Sequence, residues 1–243
     1  MSRDFYMQRE EIVLQNWKAV NSSLAQACKR SNRSPQEVTL LAVTKYAQDC
    51  DVLTLLNKGV LSDIGESRVQ QAWARWRENP AFAPFVQVRK HFIGHLQKNK
   101  AAKAAALFDW IDCIDDFETV RLLSTHAPKG KQLRVLVQVK LTHRDTQAGL
   151  PLPQARELVK KLQGAFENIA VCGYMAIAPQ GASPADLRAL FRTVKEAFDQ
   201  DFKGVPQAQL SLGMSEDFEV AVEEGSTLPR IGSLLFTSNL EGL

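Results

Sequence analysis

The chain has 243 residues, 45% of them apolar, and a formal net charge of +3. That length suits one large domain or two small ones, with enough apolar residues for a substantial core. So small a charge excess gives no ground for nucleic-acid binding: the densest basic stretch, RKHFIGHLQKNKAAK, has apolar residues inside it and no aromatic spacing that would stack bases.

Cys28, Cys50, Cys113 and Cys172 lie far apart and form no C-x-x-C pair. They read as reduced, mostly buried thiols rather than zinc ligands or a disulfide framework. The N-terminal MSRDFYMQREE is charged and lacks the apolar core of a signal peptide. No stretch approaches the ~18 apolar residues of a membrane span. A cytoplasmic protein is expected, without a membrane partner. A monomer is expected too, since no large apolar stripe is left unassigned.

In chain order, the first element is a helix over 1–33. Val13, Trp17, Val20, Leu24 and Ala27 recur at spacings of four and three on one face, and SNRSPQE ends it. A repeating rhythm then occupies 38–237. VTLLAVTK reads as a buried strand, followed by a helix around Val52, Leu55 and Leu56 that stops at Gly59. LSDIGE is a second strand, with a helix through Val69, Trp73 and Trp76. KHFIG is a third, with an alanine-rich helix after Gln97, and LFDWIDCID a fourth, with a helix through Val120, Leu122 and Leu123. QLRVLVQVKL is the fifth; its helix has Pro153 in the first turn and Gly164 past the end. IAVCGYMAI is the sixth, and Ser183-Pro184 caps the next helix. AQLSLG is the seventh, with a helix from about Glu216 to Glu224, and LPRIGSLLF the eighth.

Continuous apolar strands suit a parallel sheet buried on both faces. Eight βα units in about 200 residues predict an α/β fold, a single (β/α)8 TIM barrel with an extra N-terminal helix. The competing open sheet would carry a glycine-rich phosphate loop after its first strand, where this chain has TKYAQD.

In such a barrel the residues that end the strands share one rim, where sites form. Lys45, Glu66, His95, Asp115, Lys140, Met175, the run 211–215 and the run 230–233 fall there. A lysine ending a buried strand is expected to be partly desolvated, which favours the neutral amine that attacks aldehydes. The plain alternative is a lysine that reaches to solvent. Gly213 and Ser215 follow strand seven, and Gly232 and Ser233 lie at strand eight, where barrels often bind phosphate. Ser215 is also placed to open a helix, with Glu216 and Asp217 complementing its dipole. A phosphate subsite facing an amine points to pyridoxal phosphate.

The segments LLAVTKY, IGESRVQ, KHFIGHLQKNK, GYMAI, LSLGMSEDFEVAVEEGST and RIGSLLF resemble, in order from about residue 38 to 236, the motifs of the pyridoxal phosphate homeostasis protein family. That family is similar to the N-terminal barrel domain of alanine racemase. The resemblance implies that Lys45 holds pyridoxal 5′-phosphate as an internal aldimine. It implies that Ser215, Gly232 and Ser233 hold the phosphate, that Met214 is among the cofactor-binding residues and that Arg230 faces the pyridine nitrogen. It further implies a non-catalytic role in cofactor homeostasis, with cofactor-requiring apo-enzymes as partners. The alternatives are a fold-type III enzyme, such as an amino-acid racemase, or an unrelated barrel enzyme acting on a phosphorylated substrate. Racemisation needs acid and base groups on both ring faces, one of which racemases of this fold type take from a second domain; here the chain stops at Leu243.

Some positions depart from the family pattern: Ser67 and Lys140 in place of asparagines, Thr237 in place of a glycine, and the loop THRDTQAG, which lacks the usual acidic and lysine residues. His91 is expected in the core or on the surface rather than in catalysis. Tyr46 and Tyr174 are expected to pack against the cofactor or a neighbouring helix.

Overall fold

The computed structural model describes residues 3–142 and 148–237. Helix α1 (Arg3–Arg30) comes first. The repeat then runs β1 (Leu41–Val43), α2 (Asp49–Asn57), β2 (Asp63–Glu66) and α3 (Val69–Trp73), which passes into a π-helical turn over Ala74–Glu78. It continues through β3 (Arg89–Phe92), α4 (Ala101–Leu107), β4 (Trp110–Ile114), α5 (Phe117–His126), β5 (Leu133–Lys140) and α6 (Leu152–Leu162). The last elements are β6 (Ile169–Ile177), α7 (Pro184–Asp201), β7 (Gln209–Ser211), α8 (Phe218–Glu223), β8 (Arg230–Ile231) and α9 (Ser233–Phe236).

All ladder pairs are parallel, in the order β7-β6-β5-β4-β3-β2-β1-β8. The seam between β8 and β7 is closed by irregular bonds: Thr227 N–H to Leu210 O (2.9 Å), Arg230 N–H to Gly213 O (3.0 Å) and the Ser211 hydroxyl to Leu228 O (2.9 Å). Eight strands therefore form a nearly closed α/β TIM barrel with an added N-terminal helix. Every residue of β2 and β4 is buried, as both-face burial in a parallel barrel requires.

Two expected boundaries differ. β8 is only two residues long, and Ser233–Phe236 is helical rather than strand. Gly232, at φ −125° and ψ −67°, leaves the extended region and turns the chain into α9. Likewise α8 starts at Phe218, so Ser215 does not open it. A turn from Met214 to Asp217 precedes the helix, closed by Asp217 N–H to Met214 O (3.1 Å) and by Met214 N–H to the Asp217 carboxylate (2.6 Å).

Helix α1 buries Val13, Val20, Leu24 and Ala27, the face its spacing predicts. It lies over the junction of the first and last elements. The Arg9 guanidinium grips Asp51 in α2 with two nitrogens and donates to Phe236 O (3.1 Å). Asn16 donates to Leu235 O and Thr237 O, each at 3.1 Å. Cys28, Cys113 and Cys172 are buried free thiols and Cys50 is half-buried. No described helix is long and apolar enough to cross a membrane.

Candidate functional site

Strand pairing brings the expected site residues to one end of the barrel. β1 pairs with β8 through Leu41 and Arg230 and through Ala42 and Ile231. Alternation then sets Leu41 and Val43 on one side of β1, with Arg230 and Gly232 beside them and Lys45 in the turn that follows. Gly232 lies so close to β1 that a Cβ there would sit 3.1 Å from Val43 O. The loop after β7 joins the same cluster through the Arg230 N–H to Gly213 O bond. Gly213 itself has φ +88°, and a Cβ there would meet Phe218 Cα at 2.8 Å, so this turn requires glycine.

Lys45 is exposed, not partly desolvated as expected. It follows β1 in an open turn beside a cleft of about 500 Å³, and its ammonium lies 5.1 Å from the Tyr46 ring centroid. Tyr46 is 79% exposed and packs on neither a helix nor the core. The turn is nevertheless fixed. Arg75 donates to Thr44 O (3.1 Å) and Ala47 O (2.9 Å), one on either side of Lys45, and pairs with Glu66 (2.8 Å) and Asp49 (2.7 Å). Glu66, expected at the mouth, is instead buried and turned to Arg75 and the Trp76 indole N–H (3.3 Å).

Arg230 belongs to β8 rather than following it, and it is 4% exposed. It donates to Ser211 O, Ser211 Oγ and Ala176 O, each at 2.8 Å. No carboxylate forms an ion pair with it among the described residues. Burial pushes the guanidinium down to about 10, opposed by the charges of Asp112 and Asp217. It stays protonated at neutral pH.

Among the described residues, the N–H and hydroxyl groups of Ser215 and Ser233 donate to no partner. Ser215 is half-buried, Ser233 exposed, and Met214 38% exposed. The Met214 N–H is already taken by Asp217, whose carboxyl burial pushes upward. Of the departures, Ser67 is half-buried and its carbonyl abuts Gly94. Lys140 ends β5 opposite Ile177. The Thr237 hydroxyl donates to Ser233 O at 2.7 Å. Most of THRDTQAG, residues 143–147, lies outside the described residues.

Sequence reasoning missed the polar interior. His91 contacts Asp112 Oδ2 through Nδ1 (2.9 Å) and Asp63 Oδ1 through Nε2 (3.0 Å), and stacks on Trp110 at 5.2 Å. Burial opposes its charge most strongly, but Asp112 and Asp63 overcome this and hold the imidazolium up to about 9. Tyr174 packs on a helix as expected, its hydroxyl 2.7 Å from Asp201 of α7.

No family model matches the chain. A pyridoxal phosphate homeostasis protein of Synechocystis is 34% identical over 217 residues, covering 85% of this chain and 94% of that protein. One from Pseudomonas aeruginosa is 32% identical over 228 residues, covering 92% and 94% respectively. Among solved structures, PipY of Synechococcus elongatus with PLP bound superposes with TM-score 0.74 at 31% identity, covering 88% of this chain and 100% of that one. An alanine racemase from Clostridium difficile shares the fold at 13% identity, TM-score 0.70, covering 95% of this chain and 57% of that one. The molecule is thus a barrel of the alanine racemase type, with a lysine after its first strand and a buried arginine on its last. The chain belongs to the pyridoxal phosphate homeostasis protein family.

Proposed function

We propose that this chain is a non-catalytic carrier of pyridoxal 5′-phosphate, acting as a cytoplasmic monomer in which residues 1–243 form one cofactor-binding domain. Lys45 is the point of covalent attachment. Ser215, Gly232 and Ser233 hold the phosphate, and Met214 lines the cup without donating its N–H. Arg230 faces the ring nitrogen. The residues present fit the group: two serines whose donors have no partner among the described residues, a glycine whose lost Cβ leaves room against Val43, and a buried guanidinium that forms no ion pair among those residues. The presence of PLP in the related PipY supports the assignment.

Arg230 carries the non-catalytic reading. The cofactor supplies an aldehyde and an electron-accepting ring. A guanidinium donates hydrogen bonds but does not give up its proton, so Arg230 leaves the ring nitrogen unprotonated and the ring a weak electron sink. What remains is secure holding through an amine, a phosphate cup and one ring contact, followed by delivery to apo-enzymes. The test is reduction of the cofactor-loaded protein with borohydride and peptide mapping. A pyridoxyl group on Lys45 is expected; a label on Lys140 or Lys98 instead would refute the assignment.

A further inference from the structure

At the opposite end of the barrel, three cations line one cavity of about 260 Å³: Arg77, Lys90 and Lys131. Lys90 is the second residue of β3, and Lys131 precedes β5. The cavity therefore lies toward the strands' N-terminal ends, away from Lys45. Barrel sites form at the other rim, so the holding of a cofactor at the mouth does not account for it.

The cations are poorly satisfied. Lys90 donates to Val88 O (2.6 Å), while Arg77 (3.0 Å) and Lys131 (3.4 Å) share the single carbonyl of Ala106 in the last turn of α4. Among the described residues none of the three makes an ion pair. The one carboxylate in the lining, Asp109, accepts the Lys90 backbone N–H at 2.9 Å. Burial pushes both lysine ammonium groups down; the charge of Asp109 opposes this, and repulsion from Arg77 adds to it. Capping of α4 would explain one cation, not two half-buried lysines and an exposed arginine converging on a cavity.

The rest of the lining is aromatic and apolar. The Trp76 ring lies 5.1 Å from the Lys90 ammonium, and Phe82 meets Trp76 edge-on at 5.0 Å. A wall of this kind suits a flat apolar body, while the cations suit a doubly charged head. We propose that this cavity is a second binding site, for a small phosphomonoester carrying a planar ring, with Lys90, Lys131 and Arg77 on the phosphate and Trp76 and Phe82 against the ring.

The test is calorimetric titration of the full chain without pyridoxal phosphate, which is itself a planar phosphomonoester and would compete for the cavity, with phenyl phosphate and separately with inorganic phosphate. Saturable binding of phenyl phosphate is expected, with inorganic phosphate at least about tenfold weaker, the difference that ring burial of this size supplies. Lys90→Gln and Lys131→Gln should each weaken phenyl phosphate about tenfold, the loss of one charge-assisted bond. Neither should lower the melting temperature of the protein without phenyl phosphate, because each removes a charge that burial disfavours. The proposal is overturned by any of four results: no binding at millimolar concentration, equal affinity for both probes, affinity unchanged in the double variant, or a lysine variant that melts lower and so shows the cations to be structural supports. Because Lys90→Gln and Lys131→Gln leave the mouth intact, none of these depends on the role of Lys45.

Discussion

His91 and Asp112 meet inside the barrel, with Nδ1 of the imidazole 2.9 Å from Oδ2 of the carboxylate. Asp63 completes the contact from the other side, at 3.0 Å, and is gripped in turn by Arg89. The chain of charges thus crosses β2, β3 and β4. It sets the pH response of the fold. The folded imidazole titrates at about 9 against an ordinary 6.5, so its stabilisation is fully present below 6.5 and is lost as pH rises through about 9. Asp63 behaves in the opposite sense. Burial favours its neutral form, but His91 and Arg89 outweigh that and hold it below the usual carboxylate range. Its contribution is present above the ordinary 3.8 and fades as pH falls further. Denaturant titrations should show a plateau between the two ranges and a decline of up to about 3 kcal/mol from pH 6.5 to above 9. His91→Gln should abolish the alkaline decline.

Removal of Arg75 should be costly in two ways. Glu66, 1% exposed, would keep a buried charge with only the Trp76 N–H, and the turn that carries Lys45 would lose both carbonyl anchors. Arg75→Leu is expected to destabilise by about 3 kcal/mol, the usual effect of breaking a buried pair. Adding Glu66→Gln should recover part of that stability without restoring the turn. Urea midpoints and the rate of covalent attachment of pyridoxal phosphate read the two effects separately.

Gly213→Ala combines a positive φ with a Cβ that would sit 2.6 Å from Ala221 Cβ. A loss of about 2 kcal/mol is expected from the backbone strain alone. The turn must also shift away from α8, so phosphate affinity should fall with it. Thermal melts and cofactor titration of the same sample check both.

Covalent attachment and phosphate recognition should separate genetically. Lys45→Ala should lose the visible absorption band of the lysine-bound cofactor, remain folded, and still bind pyridoxal phosphate, though more weakly. Ser215→Asp places a negative charge in the proposed cup and should weaken binding in both backgrounds. Unchanged calorimetric affinity in Ser215→Asp would move the phosphate site elsewhere.

The loaded protein should show no appreciable racemase, transaminase or decarboxylase turnover. Chiral chromatography and keto-acid assays with each common L-amino acid provide the check. A Lys45-dependent rate near ~1 s⁻¹, the low end of ordinary enzymes, would overturn the carrier reading.

The barrel was legible because its strands are buried on both faces and so read as apolar runs between helical stripes. LFDWIDCID and IAVCGYMAI show this directly, and β6 has the bounds its apolar run predicts. Strand ends were less readable. RIGSLLF is apolar throughout, and only the backbone turn at Gly232 reveals that its second half is helix. Lys45 was found by its place at the end of an apolar run, but its exposure depends on the width of the mouth, which no local pattern encodes. Asp63, His91 and Asp112 were opaque for another reason. His91 is 28 residues from Asp63 and 21 from Asp112, and only the pairing of β2, β3 and β4 brings them into contact. A signal did exist: Asp112 stands in the middle of the apolar run WIDCI, where an unpaired charge would be costly.

The bonds from α1 to the last strand–helix unit also bear on the order of assembly. Arg9 and Phe236 are 227 residues apart, and Asn16 reaches Thr237 across 221. A chain emerging from the ribosome makes its first helix long before the carbonyls that this helix caps. Until then the apolar face of Val13, Val20 and Leu24 has no complete seat, and the β7–β8 seam is open. Contacts of such sequence separation form late and slowly. The interval between synthesis of the first and last thirty or so residues is therefore the period when this protein depends most on chaperones, and circular permutants that begin after α1 and carry it at the far end should shorten that interval.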